Sequence, residues 1–254
     1  MKKKLTAVLC ISALVPAFPS SGKTVLPDWQ NPEVVERNRA PMTATFNTDG
    51  MKLSLDGIWK FNWNETIDER PLDFWAAGYD DSAWGTMPVP GMWELNGYGD
   101  PIYVNVGYAW RGHYQNNPPI PAYEHNYVGQ YRRTFNLDAG WSGNDIFLHI
   151  GSATSNVRVW VNGKEVGYSE DSKLEARFDI TKYVRSGENL IALEIFRWCD
   201  GTYLEDQDFW RLSGIARDVY VFSRAKKRID DIHVIGSAAG EAEISAEVTK
   251  GVTS

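Results

Sequence analysis

Apolar and polar residues alternate along this chain in short runs, the two-residue period of half-buried strands. From Gly57, the segment GIWKFNW sets Trp59, Phe61 and Trp63 against Ile58, Lys60 and Asn62. QYRRTFNL follows the same rule, with Tyr131, Arg133 and Phe135 on one side. DIFLHIG (Asp145–Gly151) is a compact apolar run, which predicts a strand buried on both faces. In NVRVWVNGKEVGY, Val157, Val159 and Val161 share a face, Asn162-Gly163 makes a hairpin turn and Val166 begins the return strand. NLIALEIFRW (Asn189–Trp198) and DVYVF (Asp218–Phe222) complete the set. Helical signals are weak: Asp179 is placed to cap a single turn over Thr181–Val184, and Leu72–Ala77 reads as another short helix. Many short strands with few helices predict an antiparallel β-sandwich.

Two stretches break the pattern. Between Pro88 and Val128 the chain is rich in Pro, Gly, Asn and Tyr with no period, and so long a loop inside a compact domain is usually functional. After Arg228 a fresh pattern opens, with a strand near Ile232–Ile235, a Gly/Ala turn and the alternation Ala242, Ile244, Ala246, Val248. Two strands cannot bury a core of their own, so this reads as the start of a second domain. At the other end, Lys2, Lys3 and Lys4 precede the apolar stretch Leu5–Val15 and a Pro- and Ser-containing break, the layout of a secretory signal over residues 1–21. The stretch falls short of the about 20 residues that span a bilayer. An exported protein, periplasmic or secreted, is the expectation.

Composition narrows the classes further. The 254 residues carry 26 Lys+Arg against 33 Asp+Glu, a formal charge of −7. Losing the three lysines of the signal would leave the mature chain near ~−10, and that acidic balance argues against nucleic-acid binding. Of the two cysteines, Cys10 lies in the signal, so Cys199 has no internal partner and reads as a buried, inert thiol. Aromatic residues make up 13%, with 11 Trp, enough to fill a large core or to stack on flat ligands.

The densest polar–aromatic cluster is RWCDGTYLEDQDFWRLSGIARDV, where Asp200, Glu205, Asp206 and Asp208 lie among Trp198, Tyr203, Phe209 and Trp210. Carboxylates beside aromatic faces suit a sugar, accepting hydroxyl hydrogen bonds while rings cover its C–H face. If the stretch is extended, Asp206 and Asp208 point to one side roughly 6.5–7 Å apart, within the about 6.5–9.5 Å of an inverting glycosidase pair. Turn residues ion-paired with Arg211 and Arg217 explain the composition equally well. In GMWELNGYGDPIYVNVGYAW, turn chemistry accounts for Asn96 and Asp100 but not for Asn105 between two valines. Glu170-Asp171 is a third acidic pair, of the kind common in solvated turns. No Gly-rich phosphate loop, Cys/His zinc cluster or Gly-x-Ser-x-Gly turn occurs, and His113, His125, His149 and His233 are scattered.

DWQNPEVVERNRAPM (Asp28–Met42), SLDGIWKFNW, VPGMWELNGYGDPIYVNVGY, VGQYRRTF, VWVNGKEVGYSEDSK and YLEDQDFWRLSGI together resemble, in this order, the N-terminal part of the large bacterial β-galactosidases of glycoside hydrolase family 2, over about Asp28 to Val234. The resemblance implies an all-β chain: a jelly-roll, galactose-binding-domain-like β-sandwich over 22–227, then the beginning of an immunoglobulin-like β-sandwich over 228–254. A catalytic (β/α)₈ barrel would follow, supplying the acid/base and nucleophile glutamates, so no catalytic residue is assigned here. Asn105 matches the galactose-contacting Asn of the PIYxNVxY motif. Asp208 matches the Asp of LEDQDxW, which touches the galactosyl group and helps hold a sodium ion, with Glu205 and Asp206 as supporting residues. By that analogy the acid-pair reading recedes. Magnesium would be bound mainly in the barrel. The implied partners are a β-galactoside substrate, the remaining domains of the enzyme and a homo-oligomer, with no nucleic acid or membrane. A stand-alone secreted carbohydrate-binding module without catalysis is the alternative, and a purely structural role of the domain is a third.

Overall fold

The computed structural model describes residues 26–44 and 50–249, so the expected signal over residues 1–21 lies outside the described residues. Nearly all the regular structure is antiparallel β. A seven-stranded sheet runs in the spatial order Glu36–Arg37, Lys164–Ser169, Val157–Val161, Gly187–Phe196, Val128–Leu137, Gly57–Asn64 and Gly85–Val89. A four-stranded sheet orders Ala176–Asp179, Asp145–Ile150, Val219–Arg224 and Lys52–Ser54. The inward faces of both meet in one apolar core, where Trp59, Phe61, Tyr131, Val159 and Leu193 of the first sheet join Leu148, Ile150 and Val221 of the second. This is the jelly-roll sandwich expected from the sequence.

The alternation is realised residue by residue. Trp59 and Phe61 are buried and pack on Tyr131, with ring centroids 6.3 and 4.7 Å away. Asn162 and Gly163 both take positive φ, 51° and 78°, the paired left-handed conformations of a type I′ hairpin turn. Asp145–Ile150 is covered on both faces, because Phe222 stacks on Phe147 at 5.4 Å and Tyr220 on His149 at 4.2 Å. The longest ladder pairs Gly187–Phe196 with Val128–Leu137 over ten positions, from Gly187↔Leu137 to Phe196↔Val128. Gly129 sits at the closed end of that ladder, where a Cβ would fall 2.3 Å from the Trp93 ring.

The outer face of the large sheet is also covered. Phe74, Trp75, Tyr79 and Trp84 pack on Trp160 and Ala192. Here the expected helix over Leu72–Ala77 is replaced by turns. Buried Arg132 donates to the carbonyls of Phe74 and Ala76 (the latter 2.9 Å) and forms an ion pair with Asp81 at 2.7 Å. Those carbonyls are thereby diverted from i→i+4 bonding, and six residues are too few to nucleate a helix unaided. The other expected turn is present: Asp179 Oδ1 accepts from Thr181 N at 2.9 Å, and Ile180 O takes the amides of Tyr183 and Val184. After Arg224 the chain forms a hairpin of Ile229–Gly236 with Ala242–Val248, on which Val234, Ile235, Ile244 and Val248 are exposed. It is tied to the sandwich through Arg228–Asp145 (2.6 Å) and through Asp231 Oδ1, which accepts from Ala44 N at 2.8 Å.

Replacing Arg132 with Ala strands Asp81 and two carbonyls, and the half-solvated position of Asp81 keeps the loss at about 2–4 kcal/mol, toward the lower end for a broken buried pair. Urea unfolding of the variant should show a lower midpoint with an unchanged slope; an unaltered midpoint would mean the covering segment holds without this anchor.

Candidate functional site

Two irregular loops leave the same end of the longest ladder. The loop after Gly85–Val89 re-enters the sheet at Val128, and the loop carrying the acidic cluster departs from Phe196, the partner of Val128. Beyond that rung the pairing is continued partly by a side chain. Arg197 N donates to Tyr127 O at 2.8 Å, and fully buried Asn126 bonds Trp198 twice, its Nδ2 donating to Trp198 O (3.0 Å) and its Oδ1 accepting from Trp198 N (2.8 Å). A small aromatic core then locks the loops together. Trp110 packs edge-on to Trp198 at 5.2 Å and to Tyr203 at 5.3 Å, and Tyr203 Oη donates to Ile120 O at 2.8 Å. No sequence signal singles out Asn126.

The loops end in a two-stranded ribbon of Ile102–Val104 and Phe209–Arg211, paired Phe209↔Val104, Trp210↔Tyr103 and Arg211↔Ile102. Asn105 and Asp208 lie just beyond the Phe209↔Val104 pair, at the same end of the ribbon. Side chains directly opposite in an antiparallel pair share a face, as do residues two apart. Tyr103 and Trp210 therefore share a face, and Asp208 reaches the same side. Two contacts fix this geometry: Tyr103 Oη donates to Asp208 Oδ1 at 2.7 Å, across 105 positions of sequence, and the rings of Tyr103 and Trp210 lie 5.5 Å apart. The bond to Asp208 raises the Tyr103 hydroxyl above its ordinary pKa, so it stays a donor. Tyr103 is 53% and Trp210 56% exposed, and Trp210 is the only exposed residue among the 11 tryptophans. The aromatic content thus fills cores, with one tryptophan left over for the surface.

The opposite face of the ribbon is structural. Arg211 is buried, lies over the Phe209 ring at 4.5 Å and forms an ion pair with Asp206. Burial pushes the Asp206 carboxyl up, against the pull of Arg211. Asp206 and Asp208 consequently part company, one buried behind the ribbon and one exposed in front. The extended stretch that would align them is broken by a tight turn centred on Asp208, where Phe209 N donates to Gln207 O at 3.0 Å, so the acid-pair arrangement does not form. The ion pair expected with Arg211 does, whereas Arg217 bonds the carbonyls of Gly151 and Lys173. Glu205 accepts from Ser172 N at 3.1 Å and from its hydroxyl, tying this loop to the Glu170–Lys173 turn. Of the Glu170-Asp171 pair only Asp171 is solvated, at φ 65° and paired with Arg39 at 2.7 Å; Glu170 is buried. Asn96 makes the turn contact expected of it, donating to Met92 O at 2.8 Å. Cys199 is a free buried thiol, held protonated by burial.

A cavity of about 40 Å³ behind the ribbon, bordered by Arg197, Asp206 and Arg211, is far smaller than a ligand pocket of about 300–1,000 Å³. A groove of about 590 Å³ on the outer sheet face has the volume, but its charges are spent on one another. Asp28 there accepts from Arg37 (2.8 Å) and Arg158 (2.7 Å), which outweigh its burial and hold it below the usual carboxylate range, and Glu194 accepts from Gln130 at 2.9 Å. The ribbon's outer face, by contrast, sets an exposed carboxylate beside two exposed rings, Tyr103 and Trp210.

Comparison with known proteins agrees with this geometry. Residues 52–225 match the family described as glycosyl hydrolases family 2, sugar binding domain. The chain belongs to glycoside hydrolase family 2. The β-galactosidase of Priestia megaterium is 39% identical over 242 residues, covering 87% of this chain and 23% of that protein. The β-galactosidase of Halalkalibacterium halodurans is 41% identical over 184 residues, 72% of this chain and 18% of its own length. The family 2 chain thus spans about a fifth of these curated relatives. Among solved structures, an uncultured Clostridium sp. β-glucuronidase superposes with a TM-score of 0.60 at 22% identity, over 82% of this chain and 36% of that one, a likeness of fold.

Asn126→Ala removes both hydrogen bonds to the Trp198 backbone and leaves those groups buried. At roughly 1–3 kcal/mol for each stranded group, the expected loss is about 2–6 kcal/mol. Denaturant unfolding followed by tryptophan fluorescence measures it, and a loss under about 0.5 kcal/mol would remove Asn126 as the anchor of the two loops.

Proposed function

We propose that this chain is the substrate-positioning N-terminal part of a retaining β-galactosidase, which hydrolyses terminal β-D-galactosyl residues. The observation that carries the reading is the face shared by Tyr103 and Trp210, on which the Tyr103 hydroxyl orients the Asp208 carboxylate, with Asn105 at the same end of the ribbon. An ionised carboxylate accepts sugar hydroxyls, and an amide both donates and accepts. An exposed indole covers the C–H face of a pyranose. The curated relatives, 39% and 41% identical, are named β-galactosidase.

In this reading the two reacting glutamates, about 5–5.5 Å apart in a retaining enzyme, come from a barrel outside these 254 residues. Asp208 and Asn105 hold the galactosyl group so that those carboxylates meet it in the reactive orientation, and positioning of this kind is worth orders of magnitude in rate. Asp208 is also the proposed ligand of a sodium ion. With Oδ1 taken by Tyr103, its Oδ2 is a hard oxygen donor of the type such cations prefer. Among the described residues Asp208 belongs to no cluster of three possible ligands, so it would supply one donor of a shell completed by other parts of the enzyme. Magnesium is assigned to the barrel. We further assign residues 1–21 as an export signal and the exposed hairpin after Arg228 as the opening of an immunoglobulin-like sandwich, with assembly into a homo-oligomer. Export points to oligosaccharide substrates met outside the cytoplasm.

The first test is turnover of a nitrophenyl β-galactoside by the purified, folded 254-residue chain with sodium and magnesium present; none is expected, and real turnover would overturn the positioning reading. In an enzyme that joins this chain to its barrel, Asp208→Ala should lower kcat/KM by about 100-fold or more. Tyr103→Phe should lower it about five- to tenfold, the worth of one hydrogen bond near 1 kcal/mol. Asp208→Asn should raise the sodium concentration needed for half-maximal activity, and an unchanged sodium dependence would remove the metal role.

A further inference from the structure

The loop that carries Asp208 begins at a pair of buried acids. Glu170 follows the strand Lys164–Ser169, Asp200 lies four residues beyond Phe196, and each is 6% exposed. One carboxylate oxygen of each, together with Cys199 Sγ, lies within 4.8 Å of the others. Tyr168 Oη donates to Glu170 Oε1 at 2.7 Å. Gly201 leaves room for that carboxylate, since a Cβ would fall 2.7 Å from Glu170 Oε2. Backbone bonds fix both residues: Glu170 N donates to Val35 O and Asp200 N to Trp29 O, each at 3.0 Å.

The surroundings contain no balancing charge. Facing the pair are Tyr168 from the strand that Glu170 follows, Cys199 from the same loop as Asp200 and Glu205 from the helical turn, all neutral or acidic. Among the described residues no arginine, lysine or histidine forms an ion pair with Glu170 or Asp200. The cations on adjoining segments are engaged elsewhere, Lys173 with Thr154 and the Phe209 ring, Arg39 with Asp171 and Glu36. Asp200 Oδ1 is buried without a hydrogen-bond partner. Two like charges in such a site cannot both persist.

We propose that Glu170 and Asp200 share a single proton, and that this protonated pair is the latch holding the Asp200–Asp208 loop against the Glu170–Lys173 turn. The shared proton gives Asp200 the partner it otherwise lacks. Burial, then the charges of Asp200 and Glu205, push Glu170 up to about 8, and burial raises Asp200 as well. The folded chain therefore keeps a proton that the unfolded chain releases above its ordinary value of 4.5. The stability drawn from the latch is complete below that value and is lost as pH rises through about 8. The inference concerns the loop whatever ligand Asp208 meets, so its test needs no sugar.

Carboxyl-labelled NMR titration of the 254-residue chain is the direct measurement. One buried carboxyl signal should remain protonated at pH 6, titrate as a property of the pair near pH 8, and vanish in Glu170→Gln, whose amide mimics the protonated acid. Exchange of the amides of residues 201–208, corrected for intrinsic rates, should quicken by tenfold or more between pH 6 and pH 9 in the wild type and stay flat in Glu170→Gln. The melting temperature of Glu170→Gln relative to wild type should rise across the same range. Both carboxyls ionised at pH 6, or a stoichiometric metal ion in the purified protein, would overturn the proposal. Should the variant not fold, the wild-type titration decides alone.

Discussion

Everything that positions the candidate site hangs on one rung, Phe196 opposite Val128, at the end of a ten-position ladder in the middle of the large sheet. The loop that brings Asn105 enters there, and the loop that brings Asp208 leaves there. Their chain separation is large, so closing that contact costs loop entropy that only a rigid, fully paired ladder can offset. Burial of the inward face of Gly187–Phe196 supplies the rigidity, with Ile191, Leu193 and Ile195 all fully buried. Asn126 extends the rung by one peptide unit with its side chain, where the backbone has already turned away. The ribbon is the far end of the same structure.

Past that rung, buried polar groups replace periodic packing. Arg132 gathers the turns over the outer sheet face, Asp28 gathers Arg37 and Arg158, and Arg211 with Asp206 holds the ribbon from behind. Each removes a charge from water, which is tolerable only when its partner is in place. Such anchors are weak sources of net stability but strong selectors of one geometry, because the misplaced alternatives leave a charge bare. Irregular loops of this length have little else to define them.

That division explains what could be read from the sequence. The strands were legible because alternation of Trp59, Phe61 and Tyr131, or of Val157, Val159 and Val161, reports a buried face directly. The Asn162-Gly163 turn was legible because few residues accept its backbone conformation. The turns over Leu72–Ala77 were not, since the residue that decides them, Arg132, lies on a distant strand. Pairing among acids was likewise hidden. Glu170 and Asp171 are neighbours in sequence yet face opposite ways, and Glu170 meets Asp200 instead. Asn105 and Asp208 were found through motifs, but their arrival at one end of the ribbon follows from a pairing that no local pattern encodes. Trp210 shows the same limit: composition counts tryptophans without saying which one the core leaves out.

The openness of the ribbon's outer face bears on what it can achieve. A carboxylate and an amide at a water-exposed surface interact with sugar hydroxyls that water already satisfies, so each hydrogen bond contributes little net free energy there. The same groups gain strength once a second wall excludes water and lowers the local dielectric. The Tyr103 hydroxyl then matters more, because it fixes one oxygen of Asp208 before any ligand arrives and spares the cost of ordering that side chain on binding. A face that is pre-oriented yet unenclosed is poorly suited to capture a sugar by itself and well suited to complete a site whose other half comes from elsewhere. This separates the positioning role from that of a free-standing binding module, which would need to enclose its ligand with its own residues.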